Sequence, residues 1–396
     1  MKVLKLRGQA DRRLRSGHVW IFSNEVDIKS TPLVDFTAGE VVHIESAQGK
    51  FLGVAMVNPH ALICARVFSR NKKVGLSKNF LIDRITAAMD LRERAFSDQS
   101  YRLVYGDSDG LPGLVIDRFG GTCVVQISTA GMELHKDIVL AALLKVVKPD
   151  AVIFKNDGKM RESEGLSSYV EVVHGDPGEW LSLTENGVKF QVPTTGGQKT
   201  GWFYDHRLNR ARLKDYVQGK RVLDLFSYAG GWGVQAACFG AESVVAVDSS
   251  ELALNMLMKN AALNGVQEKV QTIQGDVFNV LKAMLDSEQR FDVVIADPPA
   301  FIPRRKDLKS GEQAYSRLNQ QALRLLEHDG ILVSASCSMH LSTEKLVDIV
   351  RSAGRHVDRN MQVLEVGAQG ADHPVLPAVP ETSYLKAIFV RSMLPW

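Results

Sequence analysis

Apolar residues change their spacing along this chain, and the changes divide it into three stretches. Up to residue 72 they come in short runs, Gly39–Glu45, Phe51–Val57 and Leu62–Phe68, broken by Gly, Asn and Pro. That pattern predicts a small β-rich unit. From 73 to 183 two periods mix. Phe80–Phe96 has apolar residues at 81, 82, 85, 88, 89 and 91, the spacing of an amphipathic helix. Leu114–Phe119 and Cys123–Ser128 flank Gly120-Gly121 as a hairpin, with a helix over Glu133–Val147 and a strand over Ala151–Phe154 to follow.

From 184 to 396 solid apolar runs alternate with helical spacing. A hairpin over Leu181–Val192 leads to a helix over Asp205–Tyr216, then strands at Val222–Phe226 and Ser243–Val247. A helix from Glu251 stops at Asn264-Gly265, and strands at Val270–Ile273 and Phe291–Ala296 come next. A helix over Glu312–Leu326 and strands at Gly330–Ser336, Gln362–Val366 and Leu385–Val390 complete the series. Strands apolar on both faces, alternating with helices, predict an α/β doubly wound sheet.

Ligands of such sheets bind outside the carboxyl ends of the strands. Phe226, Asp248, Asp276, Asp297 and Cys337 each fall at one of those ends. The first strand runs into Ser227-Tyr-Ala-Gly230-Gly231-Trp-Gly233, whose glycines allow backbone to approach a ligand. Asp248 closes the second strand, where an acid can hold both hydroxyls of a ribose. Asp276 can accept a hydrogen bond from an adenine amino group. An adenosine-bearing cofactor is therefore expected. Asp224 stands where a dinucleotide motif has its first glycine, and no Lys-Ser/Thr phosphate loop is present. An acid there repels phosphate and suits a cationic or zwitterionic ligand, which S-adenosylmethionine is.

Composition narrows the class. The chain has 396 residues, 45% hydrophobic and 23% charged, as in a soluble globular protein of two or three domains. The cysteines, at 64, 123, 238 and 337, form no C-x-x-C pair, so neither a disulfide framework nor a metal site is expected, and a reduced cytoplasm fits. Asp107 and Asp109, in a glycine-rich loop, read as turn formers. Met1–Arg7 lacks the apolar core of a signal peptide, and no run approaches the ~18 apolar residues of a membrane helix.

A net charge of +3 does not by itself prove a nucleic-acid partner. Local clusters are more informative. Arg12, Arg13 and Arg15 precede Trp20, an arrangement that can grip phosphates and stack on bases. The same residues also fit a solvated basic face with Trp20 and Phe22 in a core. Arg304, Arg305 and Lys306 likewise fit either phosphate contacts or a solvated loop.

Two strand ends carry reactive groups. Asp297-Pro298-Pro299-Ala300-Phe301 fixes φ twice and removes two amide donors, giving a rigid loop whose carboxylate can bind the edge of a flipped base. Cys337, within Ser336-Cys-Ser338, can add to carbon 6 of a cytosine and make carbon 5 nucleophilic. A core cysteine is the bland alternative. Asp-Pro-Pro followed by an aromatic residue also suits methylation of an exocyclic base amine. A third possibility is a non-catalytic RNA-binding assembly factor with a vestigial cofactor pocket.

The run Gly197-Gln-Lys-Thr200-Gly201-Trp-Phe-Tyr-Asp205-His-Arg207, with Phe226-Ser-Tyr-Ala-Gly-Gly231, Asp297-Pro-Pro-Ala-Phe301 and Ser336-Cys-Ser338, resembles the bacterial large-subunit ribosomal RNA cytosine-5 methyltransferases that carry an N-terminal PUA domain. Gly106–Gly113 with Ile116-Asp-Arg-Phe119 is similar to their central domain, His18–Ser23 to the PUA start and Ala371–Val375 to the C-terminal end. The resemblance implies a PUA-like domain at 1–72, a central α+β domain at 73–183 and a class I methyltransferase domain at 184–396. It implies Cys337 as nucleophile and Asp297 as base-binding acid. It also implies a cofactor pocket lined by Thr200, Gly201, Asp205, Arg207, Phe226, Ser227, Gly230, Asp248, Asp276 and Asp297. Ribosomal RNA would be the partner, with no membrane involved and a homodimer left open. Some RNA cytosine-5 methyltransferases have a second cysteine directly after Asp-Pro-Pro; here that position is Ala300.

Overall fold

The computed structural model describes residues 1–195 and 200–395, so the Gly197-Gln-Lys part of the motif above lies outside the described residues. The chain forms two compact units. The first comprises Met1–Leu181, Pro193–Trp202 and Ala371–Thr382, the second Ser182–Val192, Phe203–Gly370 and Ser383–Trp396.

The first unit holds two five-stranded sheets. One runs, in spatial order, Val3–Lys5, Val41–Glu45, Phe51–Val57, Ile63–Ser69 and Trp20–Phe22. Val42 and Ile44 point into its core, as their alternation with polar residues requires. The other runs Tyr169–His174, Ala151–Asn156, Thr122–Ile127, Leu114–Phe119 and Ser100–Tyr105. Against it packs the helix Lys78–Ala95, capped by Ser77 and burying Leu81, Ile85 and Ala88. The strands Val3–Lys5, Ser100–Tyr105 and Tyr169–His174 were not visible in the apolar spacing. The helix expected over Glu133–Val147 occurs as two pieces, Ala130–Leu134 and Lys136–Val146.

Arg92 is fully buried on that helix and forms a two-pronged pair with Asp109 at 2.7 and 2.8 Å. Its Nη2 also donates to the carbonyl of Asp372 at 2.9 Å, and the Arg102 amide donates to the Asp372 carboxylate at 3.2 Å. These bonds tie residues 371–382 into the first unit. Asp109 is thus structural, as a turn-forming reading requires.

The second unit is built on seven strands: β1 (Arg221–Leu225), β2 (Ser243–Asp248), β3 (Val270–Gln274), β4 (Phe291–Ala296), β5 (Leu326–Ser336), β6 (Asn360–Gly367) and β7 (Lys386–Met393). Their order is β3-β2-β1-β4-β5-β7-β6, with β7 antiparallel to both neighbours and β1 to β5 parallel. The order reverses between β1 and β4, which is where such sheets bind ligands. Helices α1 (Gly233–Cys238), α2 (Glu251–Leu263), α3 (Val277–Asp286), α4 (Leu308–Leu325) and α5 (Thr343–His356) connect the strands. Leu223, Leu225, Val294, Leu332 and Ile388 on the sheet meet Leu281, Leu318, Leu323, Leu346 and Val350 on the helices in one core.

Three details differ from expectation. The helix over Asp205–Tyr216 is a 3-10 turn at Tyr204–His206, an α-helix at Arg207–Ala211 and another 3-10 turn at Arg212–Asp215. Helices α3 and α5 join the predicted set. Strand β5 starts at Leu326, four residues early, and loops out before Ile331: Phe291 pairs Leu326, whereas Val293 pairs Ile331. Asp329 has a φ of 69°, and the apolar run begins only after it.

Candidate active site

The turn after β1 is shaped by backbone. Phe226, Tyr228 and Gly230 have φ values of 61°, 47° and 88°, a left-handed conformation rarely adopted by aromatic residues and concentrated at functional sites. A Cβ at Gly230 would fall 2.6 Å from Val234 Cγ2 and 2.8 Å from Leu257 Cγ. A Cβ at Gly233 would fall 2.8 Å from Asp224 Oδ2, which instead accepts the Gly233 amide at 2.8 Å. Glycine is required at both positions for close approach.

Asp248, at the end of β2, accepts the Tyr228 amide on Oδ2 and the Ser250 amide on Oδ1, each at 2.9 Å. The carboxylate thereby ties the β1 turn to the start of α2. Each oxygen keeps a further lone pair for a ribose hydroxyl. Asp276 is exposed and caps α3 through the Asn279 amide at 3.1 Å. Buried Ser227 Oγ and Asp224 Oδ1 make no hydrogen bond among the described residues.

Asp297 follows β4. Its Oδ2 accepts the Trp232 indole N–H at 2.9 Å, and His206 Nε2 approaches Oδ1 at 3.2 Å. The His206 and Trp232 rings lie 5.2 Å apart, forming a wall behind the carboxylate. Burial pushes Asp297 upward, but the nearby His206 ring and the Trp232 indole N–H outweigh it and hold the carboxyl below its usual range. Asp297 is therefore an anion at neutral pH. Sequence reasoning missed both partners; Trp232 lay inside the glycine turn and His206 inside the 197–207 run.

Asp224 differs. Burial, reinforced by the charges of Asp297 and Asp248, pushes its carboxyl up to about 8, against the pull of the Gly233 amide. Asp224 is therefore protonated at neutral pH, and the negative charge that favours a cationic ligand comes from its acidic neighbours at the strand ends, ionised Asp297 among them. The folded state holds a proton that an unfolded aspartate releases near its usual ~4. Stability tied to that proton is complete below about pH 4 and is lost as pH rises through about 8. Asp224→Asn keeps an acceptor for Gly233 and cannot ionise. Its cofactor-free melting temperature should therefore fall less than that of the wild type between about pH 5.5 and 8. Equal falls would contradict this assignment.

Cys337 follows β5, the neighbour of β4, and is half-buried. Its flanking serines are fixed: Ser336 Oγ donates to the Tyr315 hydroxyl at 2.8 Å, which lies 2.9 Å from Ser338 Oγ. Ser338 Oγ also accepts the Ile302 amide at 3.2 Å, linking the loop after β5 to the loop after Asp297. Lys386 donates to the carbonyls of Ser338 (2.6 Å) and Leu341 (2.5 Å). Burial lowers Lys386 to about 8, whereas Cys337 acts on it in the opposite sense, so cation and sulfur feel each other's charge. Cys64 and Cys123 are buried, and burial pushes both thiols up to about 12, as expected of packing residues.

The other predicted residues fall in several places. Asp205 accepts the Tyr384 hydroxyl at 2.6 Å, and Arg207 is buried in the same unit. Thr200 and Gly201 are buried in the first unit, where Thr200 Oγ1 donates to Asp117 at 2.5 Å. In that unit Arg12 is exposed, Arg13 pairs with Glu25 at 2.9 Å and Arg15 pairs with Asp11 at 2.6 Å. Trp20 is half-buried and donates to Asp107 at 2.9 Å, beneath the Arg66 guanidinium. Trp20 is thereby anchored rather than presented. Arg304 pairs with Asp307 at 2.9 Å, and Arg305 and Lys306 are exposed. Among the described residues no cluster of three or more His, Cys, Asp or Glu is placed to hold a metal, and no helix is long and apolar enough to cross a membrane.

The sheet order, the strained glycine turn and the acid closing β2 define a class I methyltransferase fold and site. Residues 160–391 match the family model described as S-adenosylmethionine-dependent methyltransferase, and residues 4–70 match that of PUA-like domains. The chain belongs to the S-adenosylmethionine-dependent methyltransferase family, in a branch that carries a PUA-like domain, and S-adenosylmethionine is its cofactor. It is 36% identical to "Ribosomal RNA large subunit methyltransferase I" of Erwinia tasmaniensis, over 99% of both chains. It is 36% identical to the protein of the same name from Klebsiella pneumoniae, over 97% of this chain and 96% of that one. An S-adenosylmethionine-dependent methyltransferase from Streptococcus mutans shares its fold, with a TM-score of 0.83 at 22% identity over 99% of this chain and 100% of that one.

Ser227 Oγ, without a partner among the described residues, the charge of Asp297 and the lone pairs on Asp248 fit the polar, cationic character of this cofactor. Asp248→Ala removes two amide bonds and the ribose acceptor together. We expect about 2 kcal/mol, roughly thirtyfold, weaker S-adenosylmethionine binding by calorimetry. Unchanged affinity would remove Asp248 from the pocket.

Proposed function

We propose that this protein is a cytoplasmic enzyme that methylates carbon 5 of a cytosine in large-subunit ribosomal RNA. The names of its full-length relatives support the substrate class. The observation that carries the chemistry is the pairing of an ionised Asp297 and a half-buried Cys337 at the carboxyl ends of two adjacent strands. The reading retains the three-part division at 72 and 183, with the basic residues 12, 13 and 15 and 304–306 facing phosphates.

The cofactor supplies an electrophilic methyl group on a sulfonium and would be held by Phe226, Ser227, Gly230 and Asp248. Cys337, as thiolate, adds to carbon 6 of the cytosine, and the displaced π electrons make carbon 5 nucleophilic. Lys386, fixed on the carbonyl of the next residue, supplies positive charge that favours the thiolate. Asp297 accepts a hydrogen bond from the amino group of the base, which holds its edge and favours electron donation from that group towards carbon 5 as it takes the methyl. After methylation the carbon-5 proton passes to water, its bonding pair re-forms the ring double bond and the Cys337 thiolate leaves.

Phe301 bears on the exocyclic-amine alternative. Its ring packs against Tyr315 at 4.9 Å and against Phe226 and Phe278 at 6.4 Å each. It is engaged in an aromatic cluster, whereas an amine-methylating site needs that ring to stack on the base. The test is a map of 5-methylcytosine in ribosomal RNA from cells with and without the gene. One cytosine should lose its methyl group without the gene; an unchanged map would refute the substrate assignment.

A further inference from the structure

A cavity of about 500 Å³ lies within the first unit, lined by none of the strand-end residues of the methyltransferase sheet. Its size is in the range of small-molecule sites. Gly17 and Ala87 contribute wall, Arg70 and Arg84 are exposed cations on its lining, and Asp107 and Ser108 belong to the same lining.

The polar groups are unequally satisfied. Asp107 is held by the Trp20 indole N–H on Oδ2 at 2.9 Å and by Arg66 at 3.7 Å, and its side chain is only 12% exposed. Its Oδ1 and the Ser108 hydroxyl make no hydrogen bond among the described residues. A buried acceptor left unmatched is unfavourable, so a donor entering the cavity is favoured there. Burial pushes the Asp107 carboxyl upward, with Arg66 and Trp20 opposing. The cavity therefore offers a fixed acceptor and a hydroxyl together with two exposed cations.

A ligand complementary to it has an N–H-bearing ring at one end and an anion at the other. Nucleotides have both. The setting favours a nucleotide that is part of a strand. Arg70 donates to the Leu14 carbonyl, tying the cavity to the basic segment 11–15. Arg12 and Arg13 line a second concavity of about 290 Å³ along that same segment. A backbone leaving the first cavity has further cations to follow.

We propose that this cavity receives one unpaired nucleotide of the RNA substrate, its base donating an N–H to Asp107 Oδ1 and its phosphate contacting Arg70 and Arg84. The proposal rests on RNA being the substrate. It adds a base-reading subsite separate from the cytosine that reacts.

The test uses the full chain and two variants that leave the methyltransferase site intact, Ala87→Trp to fill the cavity and Arg84→Glu to reverse its charge. Fluorescence anisotropy reads affinity for a short single-stranded oligoribonucleotide, and calorimetry reads nucleoside 5′-monophosphates and S-adenosylmethionine. Methylation of ribosomal RNA from cells lacking the gene gives kcat and KM. Both variants should bind the oligoribonucleotide about tenfold more weakly and raise KM similarly, with kcat and S-adenosylmethionine affinity unchanged. The monophosphates alone should bind the wild type far more weakly than the oligoribonucleotide. Unchanged oligoribonucleotide affinity and KM in both variants would overturn the proposal. So would a monophosphate that binds as tightly as the oligoribonucleotide and is not displaced by it. If wild-type enzyme makes no 5-methylcytosine but both variants still lose oligoribonucleotide affinity, the carbon-5 reading fails and the subsite stands.

Discussion

Cys337→Ala should abolish methyl transfer to ribosomal RNA, by roughly a thousandfold or more, while S-adenosylmethionine binds as before. Carbon 5 of cytosine is a weak nucleophile, and without a thiolate at carbon 6 nothing activates it. The substitution is small: Cys337 is half-buried, and its neighbours Ser336 and Ser338 are held by Tyr315 and Ile302. Melting temperature should therefore change little, separating lost chemistry from lost fold. Scintillation counting of transferred methyl groups reads the effect. Full activity in the variant would exclude a cysteine adduct and revive amine methylation.

Asp297→Asn should cost roughly a hundredfold to a thousandfold in kcat, with a smaller change in KM. Asparagine preserves the shape and can still accept the Trp232 indole N–H now bonded at 2.9 Å. What disappears is the negative charge that His206 and Trp232 keep ionised against burial. If that charge stabilises the activated base, the loss appears in the chemical step, and added RNA does not restore the rate. A loss confined to KM would reduce Asp297 to a binding residue.

These two side chains were legible in the sequence because of where the strands end. Ala296 and Ser336 are the last residues of solid apolar runs, and a reactive group directly after such a run lies at the ligand edge of a parallel sheet. The same logic located Asp248. What surrounds Asp297 was not legible. Trp232 is 65 residues away in sequence and belongs to another strand end, so only the sheet order brings them together. Lys386 looked like one position of a late strand; it pairs opposite Ser336 in the β5–β7 register, and its amine bonds the carbonyl of Ser338, the residue after Cys337. The first unit was harder to read. Arg92 joins Asp109 to the Asp372 carbonyl 280 residues further on, a contact no local period encodes. Trp20 followed a basic run and invited a stacking role, yet its N–H is committed to Asp107.

Ribosomal RNA made with 5-fluorocytidine offers the most direct test. Fluorine at carbon 5 cannot leave as a proton does, so an enzyme that adds a cysteine to carbon 6 and then methylates becomes trapped on its substrate. With S-adenosylmethionine present, the account predicts a denaturation-resistant protein–RNA complex whose crosslinked peptide contains Cys337. Turnover without any complex, or a crosslink at another residue, would contradict it.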